Sequence, residues 1–347
     1  MTIFKIGKLL PEYLNDFFSA HTKNIVLFLL LLTVLITFSS LHPRFLTPLN
    51  FRFMFAQFPE FGLLALAMML SMIVGGIDLS VVAVANLCGV LAAIILTSIG
   101  GVSEGTLLFF AIIAVLGAAA LAGLFNGTLI AVAGVPPILA TLGTQVLLMG
   151  IAIVLTRGHS ISGFPPGIGF IGNGFILGIP VQFLIFMVMT ILVAVVLRRT
   201  RHGFNMYLLG ANPVVSRYSG VNNTLVIIRT YMMTAMLAGV SSLIIISRTN
   251  SMRPGYGVDF LLQAILVAVL GGTDPKGGAG SVIGLLMGIL ILQFTQSGLT
   301  MMAVSPFARR LIWGLALLLI MVINFLIAKY HEQLRIKNIQ KEKEAKD

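Results

Sequence analysis

Apolar runs long enough to cross a bilayer follow one another through most of this 347-residue chain, separated by short interruptions. A hydrocarbon core of about 30 Å takes roughly 20 helical residues to span, and helices satisfy their backbone polar groups internally where no water is present. The fold class predicted is therefore all-α, a polytopic transmembrane helical bundle. Composition agrees: 58% of residues are apolar, only 10% are charged, and the mean hydropathy is +1.05, too little charge for a soluble domain of this size. The net charge of +11 does not point to nucleic acid, because the basic residues lie in short loops and a C-terminal tail rather than on one folded face. Cys88 is the only cysteine, so no intramolecular disulfide can form. The first apolar run follows a long polar-apolar segment and lacks a small-residue cleavage site, so it is expected to be a retained span.

About ten spans are predicted, over 25–41, 59–77, 79–99, 107–131, 136–155, 181–197, 224–247, 258–272, 282–299 and 309–328. Residues 1–24 are an N-terminal segment with an amphipathic pattern, 25–328 the transmembrane domain and 329–347 a charged tail. Pro43 and Pro48 mark 42–58 as a connection, and the glycines and prolines of 156–180 mark a non-helical loop. Small residues from Gly117 to Gly127 allow close backbone approach and suggest that the fourth span is central. The run at 258–272 is too short to cross straight and reads as a half-helix or a tilted continuation. An even number of spans puts both ends on one side. Fifteen of the 22 Lys and Arg residues fall on that side, which the positive-inside rule makes cytoplasmic; Arg44, Arg52, Arg157, Arg248, Arg253, Arg309 and Arg310 fall opposite.

Residues 198–223 form the one long polar interruption with helical grammar. Asn212 suits an N-cap, Pro213 the first helical position and Gly220 a left-handed C-terminal cap, so Pro213 to Ser219 is expected to be a short helix. Two turns are not stable alone in water. Arg198, Arg199, Arg201 and Arg217 place the stretch on the cytoplasmic side, where it is either a docking element for a soluble partner or a basic loop on lipid head groups.

Asp78 sits between two apolar runs, where an unpaired charge is costly. It could line a permeation path or pair with an arginine, but N-capping the helix that follows is the simpler expectation. Glu60 and Asp259 border spans near their water-facing ends. Gln57, Asn86, Asn126, Thr141, Gln145, Gln263, Gln293 and Gln296 lie in or beside spans; together they could line a sugar path, and singly each could be an interhelical hydrogen bond. Gly75-Gly76-Ile77-Asp78 is echoed by Gly271-Gly272-Thr273-Asp274, though both precede spans of the same direction, which suits an inverted repeat badly. The glycine-rich segment 271–281 lacks the order of a phosphate loop, since Lys276 is followed by Gly277. The five histidines have no metal-ligand spacing, and no Ser/His/Asp or paired-carboxylate arrangement is visible.

Four segments, GGIDLS at 75–80, ATLGT at 140–144, RHGFNMYLLGANPVVSRYSGVN at 201–222 and VLGGTDPKGGAGSVIG at 269–284, resemble the membrane permeases of bacterial ABC importers for simple sugars. The ribose, galactose, arabinose and autoinducer-2 permeases are the relatives that the pattern suggests, over roughly residues 40 to 328. Val82 departs from the glycine that many of them carry after this motif. The resemblance implies a type II ABC importer-like permease of the bacterial inner membrane, multi-pass with both termini cytoplasmic. It implies a second permease subunit, identical or not, a periplasmic solute-binding protein and a cytoplasmic ATPase that holds the ATP and Mg; no cofactor is expected in this chain. It also makes 198–223 the ATPase-coupling region, with Gly203, Gly210, Asn212, Pro213, Arg217 and Gly220 as its marking residues, and leaves Gln57, Asp78, Asn86, Asn126, Thr141, Gln145, Gln263 and Gln293 as candidates for the path. The cargo expected is a small sugar or sugar-like solute. Branched-chain amino acids or nucleosides are the alternative cargo, and an intramembrane lipid-modifying enzyme the alternative class. An enzyme would need buried acid-base or metal-ligand residues that the spans hardly contain.

Overall fold

A computed structural model describes residues 24–98, 102–322 and 326. The amphipathic pattern of the N-terminal segment and the tail 329–347 lie outside the described residues. Thirteen helices are seen among the described residues: α1 Asn24–Leu41, α2 Pro48–Ile73, α3 Val81–Ser98, α4 Glu104–Ala131, α5 Pro137–Thr156, α6 Pro166–Asn173, α7 Val181–Arg199, α8 Arg201–Ala211, α9 Pro213–Tyr218, α10 Asn223–Thr249, α11 Asp259–Leu270, α12 Val282–Met301, and α13 at 306–322. Four two-residue strands form two small antiparallel pairs, β1 (Ile161–Ser162) with β4 (Ser251–Met252) and β2 (Phe175–Ile176) with β3 (Ile179–Pro180). Seven helices, α1, α2, α4, α5, α7, α10 and α12, are long and apolar enough to cross a membrane, and α3 and α11 are shorter apolar helices. α13 belongs to a separate compact unit that begins at Val304.

The centre is α2 and α10. In each, 78% of the apolar window is buried, against 33% for α4. α4 does make the close approach its small residues predict, because a methyl on Gly123 would overlap the backbone of Tyr231 and Met232, and one on Gly127 that of Ile228. Its other face exposes Phe109, Phe110, Ile113 and Leu121, so it is a flanking partner of α10 and not the central helix.

The expected connection over 42–58 is instead largely helix. Pro48 takes the first position of α2, where a missing N–H costs nothing, and the Thr47 hydroxyl accepts from Asn50 N. The helix continues through Pro59. Near that interruption the carbonyl of Ala56 accepts from Gln182 Nε2 at 3.0 Å, showing how a neighbouring helix supports backbone next to an internal proline. The expected loop over 156–180 also contains a helix, α6, started by Pro166 at its first turn. Gly172 is there for contact rather than flexibility, since a methyl on it would overlap the backbone of Ser247 and Arg248.

Segments that alternating crossings assign to one side do gather at one end. The break after α2, the α7–α8 elbow and residues 271–281 meet through Gly278 N to Ile73 O at 2.9 Å and Tyr207 Oη to Gly280 O at 2.9 Å. At the other end β1 pairs with β4, Gly167 N donates to Glu104 Oε2 at 3.0 Å, and Tyr256 N donates to Asn86 Oδ1 at 3.0 Å.

Candidate functional site

α8 and α9 sit where the two glycine-rich breaks converge. The Thr200 hydroxyl accepts from Gly203 N at 3.2 Å and starts α8, a helix that the sequence did not separate from its surroundings. Gly203 lets α8 fold back on α7, because a methyl there would overlap Val196 O and the backbone of Leu197. Gly210 rests on Ile73 O and Gly278 N, the very pair that hydrogen-bond to one another. The end of α8 is thereby fixed to both breaks by backbone packing with no room for a side chain.

α9 follows as a capped six-residue helix. Asn212 Oδ1 accepts from Val214 N at 2.9 Å and Val215 N at 3.1 Å, and Pro213 is first in the helix. Gly220 has φ +78; Val221 N donates to Ser216 O at 3.2 Å and Gly220 N to Arg217 O at 3.1 Å, the paired bonds of a Schellman C-cap. Ser216 is buried and donates to Asn223 Oδ1 at 2.7 Å, while Asn223 Nδ2 donates to the Pro213 carbonyl at 2.9 Å. The helix is thus held from behind. Val214, Val215 and Tyr218, the last 88% exposed, and Arg217 face away from the chain. Behind them His202 lies 3.5 Å from Thr230 Oγ1, and burial, followed by the charge of Arg229, holds its imidazole below the ordinary histidine range.

A second set of residues is buried in the bundle. Asp78 Oδ1 accepts from Ser80 N at 3.0 Å and Ser80 Oγ at 2.6 Å, and Oδ2 accepts from Thr234 Oγ1 at 3.0 Å. Asn126 Nδ2 donates to Ser80 Oγ at 2.8 Å. Ser80 O takes the first helical bond of α3, from Val84 N, so Ser80 holds the cap position and Asp78 braces it from two residues upstream. Thr141 accepts from Leu79 N at 3.1 Å and donates to the Pro137 carbonyl at 2.8 Å. These residues join α3, α4, α5 and α10, and most of their polar atoms are taken by one another.

Asn86 is likewise committed: its Nδ2 reaches Val82 O and Tyr256 O, and its Oδ1 accepts Tyr256 N. Gln145 is half-buried on α5. The glutamines of α2, α11 and α12 differ. Gln293 Nε2 lies 3.5 Å from Gln57 Oε1, and one rung away Ser297 Oγ donates to Asn50 Oδ1 at 2.9 Å. The Oε1 atoms of Gln263, Gln293 and Gln296 are buried without a hydrogen-bond partner among the described residues, a state shared on other helices by Asn126 Oδ1 and Gln182 Oε1. The three glutamine acceptors, on the packed apolar helices α11 and α12, suit a solute that brings hydroxyl donors.

The structure adds residues that the sequence reading passed over. Glu60 is completely buried, not at a water-facing end, because α2 starts eleven residues earlier than expected and Glu60 falls in its middle. Arg248 from α10 binds it through Nε to Oε1 and through Nη2 to Oε2 at 2.9 Å. Thr234 gave no signal in the sequence, being an ordinary small polar residue of an apolar run, and Ser80 was visible only as the end of GGIDLS, with no role attached. Among the described residues no group of three or more His, Cys, Asp or Glu side chains could hold a metal ion.

This architecture, helices around two buried central spans with an exposed capped helix at one end, is that of a multi-pass membrane permease. Residues 50–324 match the family model described as branched-chain amino acid transport system / permease component, and the chain belongs to that family. It is 33% identical to the ribose import permease RbsC of Bacillus subtilis (strain 168) over 322 residues, 92% of this chain and 98% of that one. It is 31% identical to the autoinducer 2 import system permease LsrD of Escherichia coli (strain K12) over 312 residues, 88% and 92% of the two chains. No solved structure matches it. The chain is a permease component and not itself an enzyme.

Proposed function

We propose that this chain is the permease subunit of an ATP-driven importer that carries a small sugar or sugar-like solute across the bacterial inner membrane. The observation that carries the reading is its similarity, over nearly all of both chains, to a ribose import permease. In this reading α9 seats in a groove of a cytoplasmic ATPase subunit, which holds the ATP and Mg. The solute arrives from a periplasmic binding protein, and a second permease subunit completes the pathway. Both termini are cytoplasmic, on the side where α8 and α9 lie, in keeping with the Lys and Arg distribution.

Of the eight candidates for the path, Gln57, Gln263 and Gln293 fit best, with Gln296 added, because their helices pack together and the carbonyl oxygens of Gln263, Gln293 and Gln296 await donors. Asp78, Asn86, Asn126 and Thr141 serve to hold helices. The test is uptake of a labelled sugar panel into vesicles carrying the permease and its ATPase, with and without the binding protein. ATP-dependent accumulation of one sugar is expected; accumulation of leucine or a nucleoside and no sugar would overturn the reading.

A further inference from the structure

The β2–β3 hairpin turns in two residues, Leu177 and Gly178, both with positive φ, at 51 and 80 degrees. Two-residue turns of this hand favour Asn-Gly or Gly-Gly, because a branched apolar side chain at positive φ is strained. Here the strained position carries leucine, and that leucine is 98% exposed. A side chain costly in conformation and costly in water is at its worst on an aqueous surface. Its place is against an apolar phase that the described residues do not supply.

The surroundings decide which phase. From residue 160 to 180 there is no charged or histidine residue, although the segment lies outside the long helices. Phe170, Phe175, Ile176 and Ile179 are exposed around the tip, and β3 runs directly into α7, whose exposed Val188, Ile191, Leu192 and Val195 continue the apolar surface into the span. A docking face for a soluble protein would have a polar, charge-bearing rim. Within the hairpin the two strands are in register and Val181 N is bonded to Gly174 O at 3.0 Å, so the backbone groups left open lie at the turn and along the outer edges of the ribbon, where head groups or water can reach them. We infer that the β2–β3 hairpin inserts its tip into the head-group and acyl boundary of the leaflet opposite α9, anchoring the outer end of α7 to lipid.

The single cysteine makes the test direct, because Cys88 is buried and an added cysteine is the accessible one. Leu177→Cys carrying a nitroxide label is placed in bilayers of phosphatidylglycerol and phosphatidylethanolamine. Its collision rates with oxygen, which concentrates in lipid, and with a water-soluble nickel chelate are compared. Tyr218→Cys, at the exposed end of α9, is the aqueous reference. Oxygen should dominate at 177 and nickel at 218. Nickel dominating at 177 would overturn the inference. So would protection from both reagents that appears only when binding protein is added or when the permease is concentrated enough to pair, since either would make the tip a protein contact.

Discussion

The α-carbon of Gly210 rests against the carbonyl oxygen of Ile73, the same atom that accepts the Gly278 N–H, so the end of α8 and both glycine breaks share one backbone junction. Three glycine-to-alanine changes separate what glycine does in this chain. Gly210→Ala places a methyl where backbone already is, so it should destabilise by about 1–3 kcal/mol or displace α8. Gly220→Ala meets no neighbour and bears only the strain of φ +78, roughly 1 kcal/mol. Gly143→Ala, in α5 with open space and helical φ, should be neutral or stabilise by up to about 1 kcal/mol. Thermal unfolding of the purified permease orders the three, and any other order contradicts the packing described.

Glu60 and Arg248 tie α2 to α10 at a point where the carboxylate has no access to water. Arg248→Met strands the fully buried Glu60 and should cost about 3–5 kcal/mol, seen as lost yield or a lowered Tm, while Glu60→Leu should cost less because Arg248 is 29% exposed. The double replacement should recover much of the loss, because no buried charge is left. If the double variant is as damaged as the sum of the singles, the pair is not acting as a unit.

How far the sequence spoke differs from element to element. α9 was legible to within a residue, because Asn212, Pro213 and Gly220 act through backbone chemistry that depends on their immediate neighbours alone. The start of α2 was not, because proline reads locally as a breaker, whereas Pro48 sits at the helix N-terminus, where its missing N–H costs nothing, and the helix runs on through Pro59 beside a carbonyl bonded from α7. That error carried Glu60 with it to the wrong depth. In the interior the polar residues were visible one at a time, but which of them bind each other is decided by helix neighbours far apart in sequence, as with Asp78 and Thr234. The glutamines with unfilled acceptors look the same in sequence as Asn86, whose amide is fully spent.

Asp78 tests whether the buried cluster needs charge or only hydrogen bonds. In Asp78→Asn the remaining oxygen can still accept from Ser80. The new Nδ2 can donate to Thr234 Oγ1, whose single proton then goes to Tyr231 O at 2.8 Å. A loss of no more than about 1 kcal/mol is expected, with transport largely kept. Asp78→Leu leaves the Ser80 and Thr234 donors facing an apolar group at roughly 1–3 kcal/mol each, and assembly should suffer. Equal loss of transport in both variants at normal expression would show that the negative charge itself is used.

His202 makes the cytoplasmic end sensitive to acid. Its folded-state pKa is lowered by burial and by Arg229, so the unfolded chain takes up a proton first as pH falls through the ordinary histidine range near 6.5. Stability from this group is therefore complete above that range and is lost as pH drops through it towards the lower folded value. His202→Gln should flatten the fall in Tm between about pH 7 and pH 5, measured against the unmodified protein. An identical slope in the two would mean that other groups carry the acid sensitivity.

α9 tests the coupling reading most directly, because its back is bonded to the chain and its front is not. Ser216 and Asn223 fix the helix, leaving Val214, Val215 and Tyr218 outward and exposed. If these side chains fill a groove on the ATPase, Tyr218→Ala should weaken subunit assembly by about tenfold, the loss of one well-packed aromatic at an interface. Val214→Asp should do so more severely, by placing a charge in that groove. Both variants should fold normally in Tm, since neither side chain contributes to the core. Gly220→Val should instead leave the contact face intact but misdirect it by straining the C-cap, so that ATP is hydrolysed without uptake. Arg217→Ala is the control. A helix lying on anionic lipid would lose about 1 kcal/mol of surface attraction with that charge and be indifferent to the aromatic. Full coupled uptake in Tyr218→Ala and Gly220→Val, together with a severe defect in Arg217→Ala, would move α9 from the ATPase to the membrane surface.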